Sequence, residues 1–294
     1  MSSVDGRNAR RLFKLPLFTM ELSVQEGDRY ILVVAEGMEN KGIGDAETGM
    51  DAYLLDTQNP RAGRKDLTLG RFDEISDAAI SRNGDVVFSN MINQAHSDGI
   101  YLISSQEVHT PIPKVEKLFD GPAGYVDWAP NGEDIAFSNR DGIFLLNIFT
   151  RQASLIVAGD NFSPIFSPDG KSLAFFTRKF SQYQLKRTYG INIVALDAPA
   201  DVKQLKIKKG SFPQYITWSA DGRYIAYALY DSQNQLSCFA VRVNGGKQHI
   251  PIFRAFEGGL RTFEWTRKKY FPVNVLTTTW AELKASGLTG VEYE

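Results

Sequence analysis

Phe166-Ser167-Pro168-Asp169-Gly170-Lys171-Ser172-Leu173-Ala174-Phe175 decides the fold, because the phrase returns along the chain with its turn chemistry intact. It recurs as Trp128-Ala129-Pro130-Asn131-Gly132-Glu133-Asp134-Ile135-Ala136-Phe137 and as Trp218-Ser219-Ala220-Asp221-Gly222-Arg223-Tyr224-Ile225-Ala226-Tyr227. A shorter copy is Ile80-Ser81-Arg82-Asn83-Gly84-Asp85-Val86-Val87-Phe88. In Val24-Gln25-Glu26-Gly27-Asp28-Arg29-Tyr30-Ile31 only the glycine and the following strand survive. Asn-Gly and Asp-Gly tolerate the positive φ of a tight hairpin, and a proline just before them presets φ at about −65°. Each copy therefore joins two apolar strands, and one turn repeated this often is stronger evidence than any single copy.

The glycines stand at 27, 84, 132, 170 and 222, in steps of 57, 48, 38 and 52 residues. A four-stranded propeller blade takes roughly 40–50 residues, so the longer steps predict inserted loops at 36–50, 90–98 and 178–189. Third strands follow at Ala52–Leu55, Ile100–Ile103, Ile143–Leu146, Ile191–Val194 and Phe239–Val243, three of them directly after Gly99, Gly142 and Gly190. The fourth strands alternate; in Val202–Lys208, Leu205 and Ile207 share one face and lysines the other, a solvated edge that resists pairing with another sheet.

The two chain ends complete each other in this reading. Arg261-Thr262-Phe263-Glu264-Trp265 reads as a sixth inner strand, although Thr266-Arg267-Lys268-Lys269 replaces the expected turn. Val4-Asp5-Gly6-Arg7-Asn8-Ala9-Arg10-Arg11-Leu12 matches the turn Val243-Asn244-Gly245 that enters the outer strand of the fifth blade. The expectation is an all-β, six-bladed β-propeller of four-stranded antiparallel blades, a single domain over residues 1–294. Residues 1–18 would close the last blade as its outer strand, and 280–294 would form a tail. Closure removes unpaired edges. Five blades followed by an unrelated tail is the alternative.

The copies around Pro168-Asp169-Gly170, Asn131-Gly132 and Asp221-Gly222 resemble the WD40-like repeats of the TolB-type propeller family, and Val4–Leu12 resembles that family's outer-strand entry. The resemblance implies architecture, not activity. TolB itself is periplasmic, has a further N-terminal domain and binds a partner lipoprotein. Similar repeats occur in propellers that gate the hydrolase domain of prolyl-oligopeptidase-like enzymes.

Composition sets limits on function. Lys and Arg number 33 and Asp and Glu 34, a net charge of −1, which gives no electrostatic reason to expect nucleic acid. No apolar run approaches the ~18 residues of a membrane span. The first residues carry charge but no apolar stretch, so a cytoplasmic protein is expected, or a periplasmic one if an export segment has been removed. The single cysteine, Cys238, reads as a buried strand thiol. A monomer is expected.

Catalytic signatures are missing from these 294 residues: no Gly-x-Ser-x-Gly, no phosphate-binding Gly-x-x-x-x-Gly-Lys and no His-Glu-x-x-His. His96, His109 and His249 are scattered, and Asp45–Asp51 lacks the spacing and terminal glutamate of a calcium loop. Neither metal nor cofactor is expected.

The remaining candidate is the mouth of a propeller's central channel, lined by the entries of the inner strands. Asp77, Tyr125, Ser163, Tyr215 and Thr262 stand three residues before the anchor positions, and Asp127 and Glu264 stand one before. Period-two alternation predicts that both offsets share a face. Tyrosines, acids and hydroxyls there would suit a polar or cationic ligand, such as a protein or peptide segment with a basic side chain. The leading reading is thus a non-catalytic binding or scaffold module. The alternative is a propeller lyase or hydrolase that uses Asp77, Asp127 or Glu264 as acid or base.

Overall fold

A computed structural model describes residues 19–253, except 26, 28, 37–48, 73, 91–97, 182–185, 209–212, 231–235 and 246–248. Over these residues the chain is all-β and forms five four-stranded antiparallel blades, each with its strands in sequence order. Blade one is β1 (Thr19–Val24), β2 (Tyr30–Glu36), β3 (Met50–Asp56) and β4 (Arg64–Asp66). Blade two is β5 (Ile75–Ile80), β6 (Val86–Asn90), β7 (Gly99–Ile103) and β8 (Glu116–Asp120). Blade three is β9 (Gly124–Trp128), β10 (Asp134–Ser138), β11 (Gly142–Asn147) and β12 (Ala153–Ala158). Blade four is β13 (Asn161–Phe166), β14 (Ser172–Ser181), β15 (Lys186–Ala195) and β16 (Ala198–Leu205). Blade five is β17 (Pro213–Trp218), β18 (Tyr224–Tyr230), β19 (Leu236–Arg242) and β20 (Ile250–Phe253). Two compact units divide the chain, the first covering Leu12–Pro164 and the second taking up at Ile165.

The blade count corrects the expectation of six. Blade five draws its outer strand from its own sequence, Ile250–Phe253, and no described blade is closed by an N-terminal strand. Each described blade has a glycine in the turn after its inner strand, whereas Thr266-Arg267-Lys268-Lys269 offers no residue suited to positive φ. The segments assigned to the sixth blade, Val4–Leu12 and Arg261–Trp280, lie outside the described residues, as does the tail from 280.

The recurring turn is held the same way in blades four and five. Ser167 Oγ donates to Asp169 Oδ1 at 2.6 Å and accepts the Ser172 N–H at 3.0 Å. Ser219 repeats both bonds, to Asp221 Oδ1 at 2.6 Å and from the Tyr224 N–H at 2.9 Å. Gly170 and Gly222 take φ of 70° and 67°, which explains the glycine. The hydroxyl of Ser167 and the Lys171 N–H hold the Asp169 carboxyl below its ordinary range. At Asp221 burial works upward, but hydrogen bonds from Ser219 and Arg223 outweigh it and the net shift is also down.

The glycine opening two of the third strands has a steric cause. A Cβ on Gly142 would meet the Val157 carbonyl oxygen at 2.0 Å, and one on Gly99 would meet the Phe119 carbonyl oxygen at 2.4 Å. The fourth strand's backbone approaches too closely there for any side chain.

Within the first unit, blades stack through apolar faces. Leu32, Val34, Ala52 and Leu54 of blade one meet Ile75, Ala78, Val86 and Phe88 of blade two. Ala79, Val87 and Ile100 of blade two meet Val126, Trp128, Ile135 and Phe137 of blade three. The indole N–H of Trp128 donates to the Ala79 carbonyl of the preceding blade at 3.2 Å. In the second unit Trp218 donates to the Ile165 carbonyl at 3.3 Å. The anchor tryptophans are therefore rivets between neighbouring inner strands.

The insertion expected as a loop at 178–189 is mostly strand. β14 and β15 are ten residues each and pair from Ser172↔Ala195 to Ser181↔Lys186. β16 follows β15 only from Ile191 to Ala195, so the far half of this hairpin runs on past its outer neighbour. The insertions expected at 36–50 and 90–98 lie largely outside the described residues.

Candidate functional site

The inner strands carry a bulge at their entries. In blade three the ladder runs Asp127↔Ala136 and then Gly124↔Ser138, one residue more on the inner strand than on its partner. Blade five shows the same irregularity around Tyr215, and blades one and two show it at Thr19/Glu21 and Ile75/Asp77. A bulge re-aims side chains and breaks simple alternation. The two offsets expected to share a face are consequently separated in blade three. Tyr125 is 41% exposed, whereas Asp127 is half-buried.

At the position three before the anchor, Tyr125, Ser163 and Tyr215 all have left-handed backbone, with φ of 54°, 52° and 48°. For a residue with a Cβ this conformation costs about 1–2 kcal/mol. Glycine would remove the cost, yet none of the three positions has one.

Asp77 occupies the same offset in blade two but is buried, at 7% exposure. Its Oδ1 accepts the Ala78 N–H and its Oδ2 accepts the Val126 N–H of blade three, both at 2.8 Å. Burial raises its pKa well above the usual carboxylate range, and the Glu21 carboxylate adds to this. The Ala78 and Val126 N–H groups pull the other way, and Asp127 adds a smaller upward push. Asp77 thus joins two blades through their backbones and lies within the electrostatic reach of two further acids.

Glu21 belongs to this acidic group although the anchor pattern does not reveal it. It stands three residues before Val24, the blade-one counterpart of the anchors, where the missing aromatic hides the register. Phe162 is the other residue the pattern misses. Its ring centroid lies 5.9 Å from that of Tyr125, with the planes at 47°. The first unit therefore brings Glu21, Asp77, Tyr125, Asp127, Phe162 and Ser163 onto the inner strands of successive blades. Tyr215 belongs to the second unit, where it is half-buried on β17. Thr262 and Glu264 lie outside the described residues.

The group of Glu21, Asp77 and Asp127 and the Tyr125–Phe162 ring pair are two features that each attract a cation, the first through Coulomb attraction and the second through ring quadrupoles. Among the described residues no group of three or more His, Cys, Asp and Glu is arranged to hold a metal ion. No helix among them is long and apolar enough to cross a membrane. Cys238 is buried on β19 and burial pushes its thiol pKa up, as for a structural thiol.

The Asp77 shift has a direct consequence for stability. With the folded pKa above the unfolded value of about 3.9, the folded state holds more protons between the two values. Its contribution therefore falls as pH rises through that window, opposite in sign to Asp169 and Asp221. Asp77→Asn is expected to remove the downward slope, leaving stability in urea denaturation flatter above about pH 4 than in the parent chain. A parent-minus-variant difference that did not change with pH would remove Asp77 from this role.

No family model matches the chain. Dipeptidyl-peptidase 5 of Arthroderma benhamiae is 25% identical over 247 residues, which cover 76% of this chain and 34% of that protein. The chain thus spans about a third of that relative's length, and only 14% in the shorter match to the Trichophyton equinum enzyme. Among solved structures, a chain assigned as TolB from Agrobacterium tumefaciens superposes with a TM-score of 0.67 at 18% identity, covering 92% of this chain and 94% of that one. TolB from Acinetobacter baumannii gives 0.54 at 20% identity, covering 70% of this chain and 49% of that one. The fold is that of a TolB-like β-propeller.

Proposed function

We propose that this propeller is a non-catalytic binding module that recognises a protein segment through a basic side chain, or a small cationic ligand, at the inner strands of blades one to three. The observation that carries the reading is Tyr125, an exposed aromatic held in left-handed backbone beside Phe162 and next but one to Asp127. Non-glycine residues keep such a conformation where the side chain is needed, and strained positions concentrate at functional sites. The likeness to a dipeptidyl-peptidase, an enzyme whose name specifies peptides, supports a peptide as the ligand class. The enzyme alternative is disfavoured at its best-placed acid, because Asp77 is buried and holds the Ala78 and Val126 main-chain N–H groups.

Fluorescence anisotropy with a library of labelled short peptides tests the reading. Peptides with Lys or Arg are expected to bind, and Tyr125→Ala and Asp127→Asn are each expected to weaken them by about tenfold, as for an aromatic or charged hot spot. Equal binding of neutral and acidic peptides, or affinities that neither substitution changes, would reject the site.

A further inference from the structure

A second surface lies on the long hairpin of blade four and has the opposite charge. From Ser172 to Ala195 the sequence has four basic side chains, Arg178, Lys179, Lys186 and Arg187, and no acid. All four fall on the half of the hairpin that extends past β16, since β15 pairs with β16 only from Ile191 onward. The register sets them out. Arg178 lies opposite Tyr189 and Phe180 opposite Arg187, so these four residues share one face of the ribbon; Lys179 lies opposite Thr188 on the other. Phe180 is 58% exposed, and Lys179 and Arg187 are exposed beside it.

This arrangement is unlike an ordinary solvated edge. Lysines along an outer strand discourage pairing, and β16 shows that pattern with exposed Lys203 beside Asp201. The extended hairpin instead sets an exposed phenyl ring and a tyrosine between two arginines, the side chains most enriched at protein interfaces. Arginine also pairs with carboxylates in a bidentate way that lysine cannot match.

We infer that the β14–β15 arm is a docking element for an acidic protein segment carrying an apolar side chain. Phe180 would receive the apolar group while Arg178 and Arg187, on its face, pair with the carboxylates around it, and Lys179 on the other face adds to the positive field. Charge complementarity selects this occupant over nucleic acid. Without the four cations of the arm, 29 basic side chains in the chain face 34 acidic ones. A long polyanion that runs on beyond the arm leaves this local positive charge for a chain whose remaining charge is net negative. A short acidic segment matched to the ribbon meets only the positive field.

The test uses the full chain and a short labelled peptide of Glu, Asp and Ser around a central Leu pair. The peptide is expected to bind, and to weaken steeply as salt is raised from about 0.05 to about 0.3 M. Lys179→Glu with Arg187→Glu is expected to lower affinity by about thirtyfold, and Phe180→Ser by about tenfold. Both changes lie on exposed strand positions, and an unchanged far-UV spectrum and urea midpoint show that the blade is intact. Lys171→Glu, a similar charge change at the blade's hairpin turn, is expected to leave binding unchanged. Tighter binding of an oligothymidylate than of the peptide would overturn the inference in favour of nucleic acid. A concentration-dependent mass in light scattering that the double reversal abolishes would overturn it in favour of a second copy of the chain. Peptide binding that survives the double reversal, or no binding at all, would also overturn it. Because the probe here is acidic and that for the inner strands is basic, either site can fail without the other.

Discussion

Trp128→Ala is expected to destabilise the first unit by about 3–5 kcal/mol, the usual range for removing a buried tryptophan. Two losses combine. The indole sits in the apolar layer between blades two and three with Val87, Val126 and Phe137, and its removal leaves a cavity that rigid strands close poorly. The Ala79 carbonyl also loses the indole N–H that bridges to it at 3.2 Å. Trp128→Phe separates the two, keeping most of the ring volume while losing the bond, and is expected to cost about 1–2 kcal/mol. Trp218→Ala should act in the same way on the second unit, where the partner is the Ile165 carbonyl. Urea denaturation followed by far-UV circular dichroism measures all three. A cost below about 1 kcal/mol for Trp128→Ala would mean that the tryptophan fills space without joining the blades.

The part of the fold that the sequence makes legible is the part set by local chemistry. Asp169-Gly170 and Asp221-Gly222 specify their turn whatever surrounds them, since positive φ and the Ser–Asp hydrogen bond are satisfied within a few residues. The anchor tryptophans and third-strand glycines are visible as a pattern, but their causes come from the neighbouring chain. Gly142 is explained by the Val157 carbonyl, and Trp128 by that of Ala79. The sixth blade is read from a likeness between the two ends, with no glycine turn beside it, and the described residues form five blades only. A Thr-Arg-Lys-Lys stretch lacks the residue that nucleates a blade hairpin.

The candidate site was legible in composition and less so in geometry. Counting offsets from the anchors found Asp77, Tyr125 and Asp127 but assumed unbroken alternation. A bulge adds one residue without any sequence mark as plain as glycine, so Asp77 turns inward to the next blade's backbone while Tyr125 stands exposed. Glu21 was hidden because Val24 lacks the aromatic signature, and Phe162 because its role depends on a ring from another blade. At 178–189 length alone suggested a loop. The strand character comes from pairing across the hairpin, Arg178 with Tyr189 and Phe180 with Arg187, which no apolar–polar alternation in the sequence marks.

Tyr125→Gly is the sharpest test of whether the inner-strand residue is kept for its side chain. Left-handed backbone costs a tyrosine about 1–2 kcal/mol relative to a residue at ease there, and glycine removes that cost. The same change forfeits the ring contact with Phe162, worth about 0.5–1.5 kcal/mol. The two terms nearly cancel, so stability is expected to stay within about 1 kcal/mol of the parent chain. Tyr125→Ala retains the strain and loses the contact, and should be less stable than the glycine variant by about 1 kcal/mol. Both variants remove the exposed aromatic side chain and are expected to weaken a basic peptide by about tenfold or more. A stable glycine variant that binds as tightly as the parent would show that Tyr125 serves only the bulge. Equal stability of the two variants would show that its φ stores no strain. If both expectations hold, blade three accepts a less comfortable backbone in order to present an aromatic side chain to a cation.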